Sequence, residues 1–298
     1  MTGDFIVRGV TPPAVYAELW AKISAGCEWR GELQNRRKNG ELYWESQTIS
    51  PVLDQRGDIT HYISVSEDST TQKQINRRDE GRNRILEAIA NGTPLPQTLQ
   101  LMVAMAEAEM SPGGICSLMR LDRTQGRLFI SCRSTLSDAY ADAIDGLEIG
   151  EGGGSCGAAA FTARRVVVED IESHPYWQTW RELAAAEGLR ACWSQPIVSS
   201  TGKVLGTLAI YYRTPRSPTA DQIQVIELVS SLAAICLERD EAEQTLRQQE
   251  AQARKLLAEH ETILSNALVG IVYLKHRRVV SCNRRLEELF GYSAGELL

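Results

Sequence analysis

The sequence predicts an α+β protein in which antiparallel hairpins alternate with amphipathic helices. Three observations carry that expectation. Two alternating segments flank Asn39-Gly40, a dipeptide selected by tight hairpin turns because both central residues need positive φ. Two longer apolar segments, Ala191–Val198 and Val204–Tyr212, flank Ser199-Ser200-Thr201-Gly202 as a second hairpin. From Thr219 a helical pattern runs to Ala267, well past the span of an ordinary globular helix.

The totals narrow the function classes. The chain has 298 residues, room for about two domains. Its 43% hydrophobic and 23% charged residues are those of a globular protein. A net charge of −6 with no long basic block argues against nucleic acid as a partner. No apolar run approaches the ~18 residues of a membrane span. Met1-Thr2-Gly3-Asp4-Phe5 lacks the basic-then-apolar order of a signal peptide. Seven cysteines, an odd number without paired spacing, fit reduced thiols in a cytoplasmic protein.

In chain order, Val15, Leu19 and Ile23 recur at spacing four and predict a short helix. Trp29–Leu33, Glu41–Ile49 and Ile59–Val65 then predict an antiparallel meander. Asp68, Ser69 and Thr70 offer side-chain oxygens to cap the helix that follows. That helix, Gln72–Ala90, is charged, carries Ile75, Ile85, Leu86 and Ile89, and is broken by Thr93-Pro94-Leu95-Pro96. Leu95–Met110 is a second helix, with Leu99, Met102, Val103, Met105 and Ala106 as a core stripe at helical spacing.

Ile115–Leu121 and Arg127–Cys132 read as strands around a loop ending in Gly126, and Leu136–Ile144 as a short helix. A glycine cluster follows, Gly150, Gly152, Gly153 and Gly154, then Ser155-Cys156-Gly157. It spells a dinucleotide fingerprint, but Leu147-Glu148-Ile149 is too short and charged to be the strand that fingerprint requires. The reading is a turn feeding a helix start, whose backbone N–H groups can hold an anion. Val166-Val167-Val168 is a short strand, and Tyr176–Glu187 a helix bearing Trp177 and Trp180, opened by Ser173-His174-Pro175 and closed by Gly188. In Val204–Tyr212 both alternating sets are apolar, Leu205, Ala209 and Tyr211 against Leu208, Ile210 and Tyr212, so both faces are covered.

Thr219 with Gln222 is a capping box opening the long helix. Within it Ala242, Leu246, Gln249, Ala253, Leu256, His260, Ile263 and Ala267 alternate spacings of four and three, the seam of a parallel coiled-coil dimer or else a solvated single helix. A hairpin over Ser265–Tyr273 and Val279–Asn283 and a helix over Arg284–Tyr292 end the chain.

Three stretches resemble known families. Trp29-x-Gly31-Glu32, Asn35 to Gly40, Ile49-Ser50-Pro51-Val52, Gly57 and the exit Glu67-Asp68-Ser69-Thr70 resemble the C-terminal half of a PAS domain. The segments Gly154-Ser155-Cys156-Gly157, Val168-Glu169-Asp170-Ile171, Gly188 to Ser194, Pro196-Ile197 and Gly206 to Tyr212 resemble a GAF domain, of the kind bacteria place between PAS domains in cyclic-di-GMP enzymes and sensor kinases. Ser265 to Tyr292 resembles the N-terminal half of a PAS domain. The expected organisation is a half PAS domain over residues 1–71, a helical linker over 72–92, a GAF domain over 85–239, a coiled-coil signalling helix over 240–264 and a second half PAS domain over 265–298. The chain reads as a fragment of a longer PAS–GAF–PAS receptor.

The GAF resemblance implies a central antiparallel sheet, helices on one face and a ligand pocket on the other. The candidate pocket is Cys156, Asp170, Trp177, Trp180, Arg190, Cys192 and Trp193, with Arg190 pairing an acidic ligand group or Asp170. Aromatic walls suit a planar or cationic guest. Cys156 and Cys192 also resemble the placement of cysteines in the free methionine-(R)-sulfoxide reductases, GAF proteins in which one thiolate attacks the sulfoxide and a second thiol resolves it. Trp193 stands where that family carries aspartate. His174 reads as a cap and His260 as a polar seam residue, without metal-ligand spacing around either.

The expectation is therefore a non-enzymatic sensory module. It binds a small molecule of unknown identity, or senses redox state, and signals through a homodimer formed by the helix 219–264. Its output would be a cyclic-di-GMP enzyme or a histidine kinase. The sequence specifies no cofactor. The reductase and a purely structural dimerisation unit are the alternatives.

Overall fold

The computed structural model describes residues 10–110, 112–276, 278–293 and 295–297; the reading of Met1–Phe5 lies outside the described residues. Near the N-terminus, helix α1 (Pro13–Ser24) lies on a three-stranded antiparallel sheet of β1 (Trp29–Arg36), β2 (Leu42–Leu53) and β3 (Ile59–Asp68), in that order. Leu19, Ile23, Trp29, Leu33 and Ile49 form a small core on one face, while Ile63 and Val65 remain exposed on the other. The β1–β2 turn differs from the predicted two-residue type. Arg36 pairs with Leu42, only Gly40 takes positive φ, and Asn39 uses its side-chain oxygen to accept from Glu41 N at 3.0 Å.

Helix α2 (Thr70–Ala90) leaves this sheet under a cap supplied by Asp68, whose Oδ1 accepts from Thr70 N at 3.0 Å. Ser69 plays no capping part; its buried hydroxyl has no partner.

The GAF region then folds as helix α3 (Leu95–Glu109), β4 (Ile115–Asp122), β5 (Arg127–Arg133), α4 (Asp138–Ile144), β6 (Leu147–Glu148), α5 (Gly154–Thr162), β7 (Val166–Val168), a 3-10 turn (Pro175–Trp177), α6 (Arg181–Glu187), β8 (Ala191–Val198), β9 (Val204–Tyr212) and α7 (Ala220–Asn266). Its sheet runs β6-β5-β4-β9-β8-β7, every neighbouring pair antiparallel. Both faces are covered. On one, α2, α3 and α7 bury Ile85, Leu99, Met102, Val229 and Leu237 against Leu118, Trp193, Ile210 and Tyr212. On the other, α4, α5 and α6 close over Met119, Cys192, Ala209 and Tyr211. Each large side chain so buried contributes about 1.5–3 kcal/mol. Leu205 does not share the face of Ala209 and Tyr211 as its alternation predicts. The register shifts between Ile197 and Val198, the extra residue turns over, and Leu205 joins the α7 face.

One helix and one hairpin start depart from expectation for identifiable reasons. The helix predicted over Tyr176–Glu187 is split, because Trp180 adopts φ −105°, ψ 1° as the N-cap of α6. His174 opens the first piece, its Nδ1 accepting from Tyr176 N at 3.3 Å. At the other end, α7 carries its capping box, with Gln222 N donating to Thr219 Oγ1 at 3.2 Å and Thr219 N to Gln222 Oε1 at 3.0 Å. It runs through Asn266, as the helical pattern to Ala267 predicts, and only the hairpin read from Ser265 starts later than expected. Asn283 explains the later start: its Nδ2 donates to Leu264 O and Val269 O, both at 3.0 Å, and its Oδ1 accepts from Ile271 N at 2.7 Å. The chain is thus turned before β10 (Val272–Lys275), which pairs with β11 (Arg278–Cys282) ahead of helix α8 (Arg284–Phe290). Part of α7 is apolar and long enough to cross a bilayer by length and composition, but 56% of that stretch is buried inside the protein, as the inner helix of a core must be.

Candidate functional site

The site forms where the glycine cluster brings α5 down onto the sheet. A Cβ on Gly153 would lie 2.3 Å from Glu148 O, and one on Gly157 2.8 Å from the same oxygen. Only bare backbone fits there. Gly150 N donates to Gly157 O at 3.1 Å, Gly153 N to Gly150 O at 3.1 Å and Gly157 N to Gly153 O at 2.8 Å, so these N–H groups serve the turn itself. The preceding strand β6 has only two residues, and the dinucleotide fingerprint has no strand to stand on.

Two tryptophans pin the start of α5 from above. Trp177 Nε1 donates to Ser155 Oγ and Trp180 Nε1 to Gly152 O, each at 2.8 Å. The split between the 3-10 turn and α6 lets both indoles reach the loop. Trp177 is buried and Trp180 half-buried. Beneath them lies a cavity of about 20 Å³, walled by Tyr140, Ile144, Leu147, Ser155, Cys156, Trp177, Trp180 and Tyr211. A water needs ~10–15 Å³ on this measure, so the space holds about one.

The floor is polar. Cys156 Sγ lies 3.2 Å from Ser194 Oγ and 3.9 Å from the Tyr211 hydroxyl, and Cys192 Sγ lies 3.8 Å from Ser194 Oγ. Ser117 Oγ donates to the Tyr211 hydroxyl at 3.4 Å, and Tyr140 meets Tyr211 edge-on with ring centroids 6.1 Å apart. Cys156 is 5% exposed and Cys192 fully buried. The two thiols are driven apart electrostatically. The nearby Cys192 thiol most, then Ser194, Tyr211 and Thr207, hold the Cys156 thiol below its ordinary range against the effect of burial. Burial, reinforced by the neighbouring Cys156, pushes Cys192 well above the ordinary thiol range.

The seven sequence-derived residues divide accordingly. Cys156, Cys192, Trp177 and Trp180 come together. Asp170 and Arg190 pair with each other at 3.2 Å, Arg190 also reaching Glu172 at 2.8 Å, and neither lines the cavity. Trp193 does not face the cavity: one residue on from Cys192 in β8, it points to the opposite face, packs in the α7 core and donates from Nε1 to Arg216 O at 3.1 Å. The sequence reading missed Tyr140, Ser155, Ser194, Thr207 and Tyr211. Strand alternation from Cys192 would have found Ser194, and the alternation of β9 places Thr207 and Tyr211 together.

This layered sheet, with a small cavity on one face and the exit helix on the other, is the arrangement of a GAF domain. Residues 92–238 match the GAF domain family and residues 6–66 the PAS fold, so the chain is a sensor module of GAF and PAS domains. The methyl sulfide methyltransferase-associated sensor of Methanosarcina acetivorans is 34% identical over 303 residues, covering 100% of this chain and 30% of that protein. A nitrogen fixation regulatory protein of Klebsiella oxytoca is 32% identical over 84 residues, 28% of this chain and 17% of that one. Among solved structures, the GAF domain of an Acinetobacter phosphoenolpyruvate-protein phosphotransferase aligns with TM-score 0.46 and 15% identity, covering 56% of this chain and 97% of that one. The chain thus spans 30% of the length of its Methanosarcina relative.

Proposed function

We propose that the GAF domain is the input of a cytoplasmic receptor. A small molecule, or a redox change, acts beneath Trp177 and Trp180, and a homodimeric α7 carries the result to an output enzyme of the cyclic-di-GMP or histidine-kinase type. One observation carries the reading: adjacent residues of the central strands address the site and the exit helix in turn. Cys192 and Tyr211 belong to the cavity side, Trp193 and Tyr212 to the α7 side. The names of the Methanosarcina and Klebsiella relatives, a sensor and a regulatory protein, agree with it.

The cavity of about 20 Å³ constrains the mechanism. A guest larger than water enters only when the tryptophan segment lifts, and a guest that binds only the lifted state shifts the population toward it. Trp180, half-buried and tied to Gly152 O, is the latch. The approach of two thiols favours a second reading, reduction of free methionine sulfoxide by Cys192 and Cys156. That amino acid would need the same lifting, and Trp193 stands where the reductases carry aspartate, which leaves the sensor reading the better supported.

The test is native mass spectrometry of the purified chain for a co-purified molecule, followed by hydrogen exchange over residues 220–237 with and without it. Guest-dependent protection in that part of α7 supports the reading; a bound guest that leaves α7 unchanged refutes it.

A further inference from the structure

We propose that residues 238–241 form a collar that holds α7 in one rotational setting where it leaves the sheet. Arg120 and Arg123, at the end of β4, are its catch: α7 turns when they let go of Asp240 and Glu241. The proposal deepens the sensor reading, and rests on it for what trips the catch but not for the collar itself.

Four consecutive residues of α7 are each held by a different part of the domain. Ser200, in the β8–β9 turn, donates to Glu238 Oε1 from its N at 3.0 Å and from its Oγ at 2.8 Å. Arg239 donates from Nη1 to Ile89 O at 2.8 Å, a carbonyl in the last turn of α2, which has no basic residue of its own there. Arg120 Nη1 donates to Asp240 Oδ2 and Arg123 Nη2 to Glu241 Oε2, each at 2.7 Å. Successive side chains are about 100° apart around a helix, so these four span about 300° and grip it from nearly every side. The grip sits at a boundary. Leu237, fully buried, precedes it, and residues 244–260 are all exposed. Ala242, the first member of the proposed seam, follows by one residue, so the collar decides which way that seam faces.

The catch belongs to a strand that also floors the cavity side. In β4, Ser117 donates to the Tyr211 hydroxyl and Met119 packs in the cavity-side core, while Arg120 points to the opposite face and to α7. Strand β9 approaches β4 closely at this point. Gly206 lies opposite Arg120, and a Cβ on it would lie 2.1 Å from Met119 O. A displacement of the cavity floor therefore reaches Asp240 through one strand. The two ion pairs are partly exposed, Arg120 and Asp240 at 28% and 24%, Arg123 and Glu241 at 42% and 30%. Pairs so exposed are individually weak and screened by salt, so they select a setting without locking it. Below them the buried Leu232, Ala233 and Leu237 keep α7 on the sheet while the collar opens.

The experiment uses the full chain carrying Cys27→Ser and Cys282→Ser, which leaves only buried thiols. Nitroxide labels are attached at Lys203→Cys in the β8–β9 turn and Gln248→Cys on α7, both exposed and outside the collar. Labelled chains are diluted into unlabelled ones, so that pulsed electron resonance reads the distance within one chain. One narrow distance is expected at low salt. Arg120→Gln with Arg123→Gln should broaden or shift it, by up to about 8 Å for a turn of one residue. Sodium chloride at about 1 M should do the same to the parent chain and leave the double variant unmoved. Arg120→Asp should disturb the distance, and adding Asp240→Arg should restore it. The proposal is overturned if the distance stays fixed in the folded double variant, or if only the unfolding midpoint falls, the mark of a merely stabilising contact. The salt series needs no substitution at the catch, so an unmoved distance there overturns the proposal even where a variant fails to fold. Hydrogen exchange of α7 with and without a guest separates the two readings. A distance that follows the catch while no guest alters α7 keeps the collar and removes the sensor reading; guest-dependent protection with an unmoved distance does the reverse.

Discussion

Two neighbouring glycines should respond oppositely to the same substitution. In Gly153→Ala the new Cβ would lie 2.3 Å from Glu148 O and 2.9 Å from Gly157 Cα. Both are backbone atoms, so α5 must move off β6. Overpacking of this kind costs about 1–3 kcal/mol. The shift also strains the bonds between Gly150 and Gly157 and between Gly157 and Gly153, at 3.1 and 2.8 Å, each worth about 1 kcal/mol. A total of about 2–4 kcal/mol is expected. Gly152 has nothing within 4 Å of an added Cβ and no positive φ. Gly152→Ala should therefore be neutral or stabilising by about 0.4–1 kcal/mol, because it narrows the unfolded ensemble. Urea unfolding of the full chain, followed by tryptophan fluorescence and compared at constant slope, measures both. Equal losses, or a Gly153→Ala cost below about 0.5 kcal/mol, would refute the close-packed turn. A loop built to hold an anion would instead show its loss in binding, with the unfolding midpoint unmoved.

Further outcomes follow from single contacts. Tyr212→Phe removes a hydroxyl that donates to Met110 O at 2.9 Å and accepts from Gln222 Nε2 at 3.3 Å, both buried, and should cost about 1–3 kcal/mol in the same assay. Trp177→Phe removes the indole donor to Ser155 Oγ at 2.8 Å and should cost a similar amount, about 1–3 kcal/mol, while quickening exchange at the start of α5. The Thr70 hydroxyl, then Arg37, holds the Asp68 carboxyl down at about 2. Since the folded value lies below the unfolded one, that contribution is full above pH ~4 and is lost as pH falls toward the folded value. Circular dichroism against pH should show the first turn of α2 loosening in that window, and Asp68→Asn should abolish the dependence. Leu256 and Ile263 stand exposed on α7 at 58% and 67%. Leu256→Asp with Ile263→Asp should convert the proposed dimer to monomer in sedimentation, and an unchanged mass would sink the coiled-coil seam.

Much of the fold could be read from local signals, because its elements obey short-range rules. The boundaries of β8 and β9 follow the apolar runs to the residue, and the capping box at Thr219 and Gln222 forms as the spacing requires. The site was less legible, for a geometric reason. A motif names a segment, but a side chain's face is decided residue by residue. Cys192 and Trp193 share one motif and serve opposite faces of the sheet. Arg190 and Asp170 look like ligand groups in sequence, yet at the ends of β7 and β8 they find each other. The tryptophan helix was misread as continuous because apolar spacing does not report the break that Trp180 makes in capping α6.

The same alternation gives the proposed signal its route. Cys156 lies 3.9 Å from the Tyr211 hydroxyl. The next residue, Tyr212, bonds on the other face to Gln222, a member of the capping box that opens α7. Arg216 lies over the Tyr212 ring at 4.2 Å, and its carbonyl receives the Trp193 indole N–H. Both faces of the sheet are filled, so neither strand can tilt toward the cavity without its neighbouring side chains moving against the helix. A packed interior of this kind answers a small displacement by changing arrangement, not by yielding gradually.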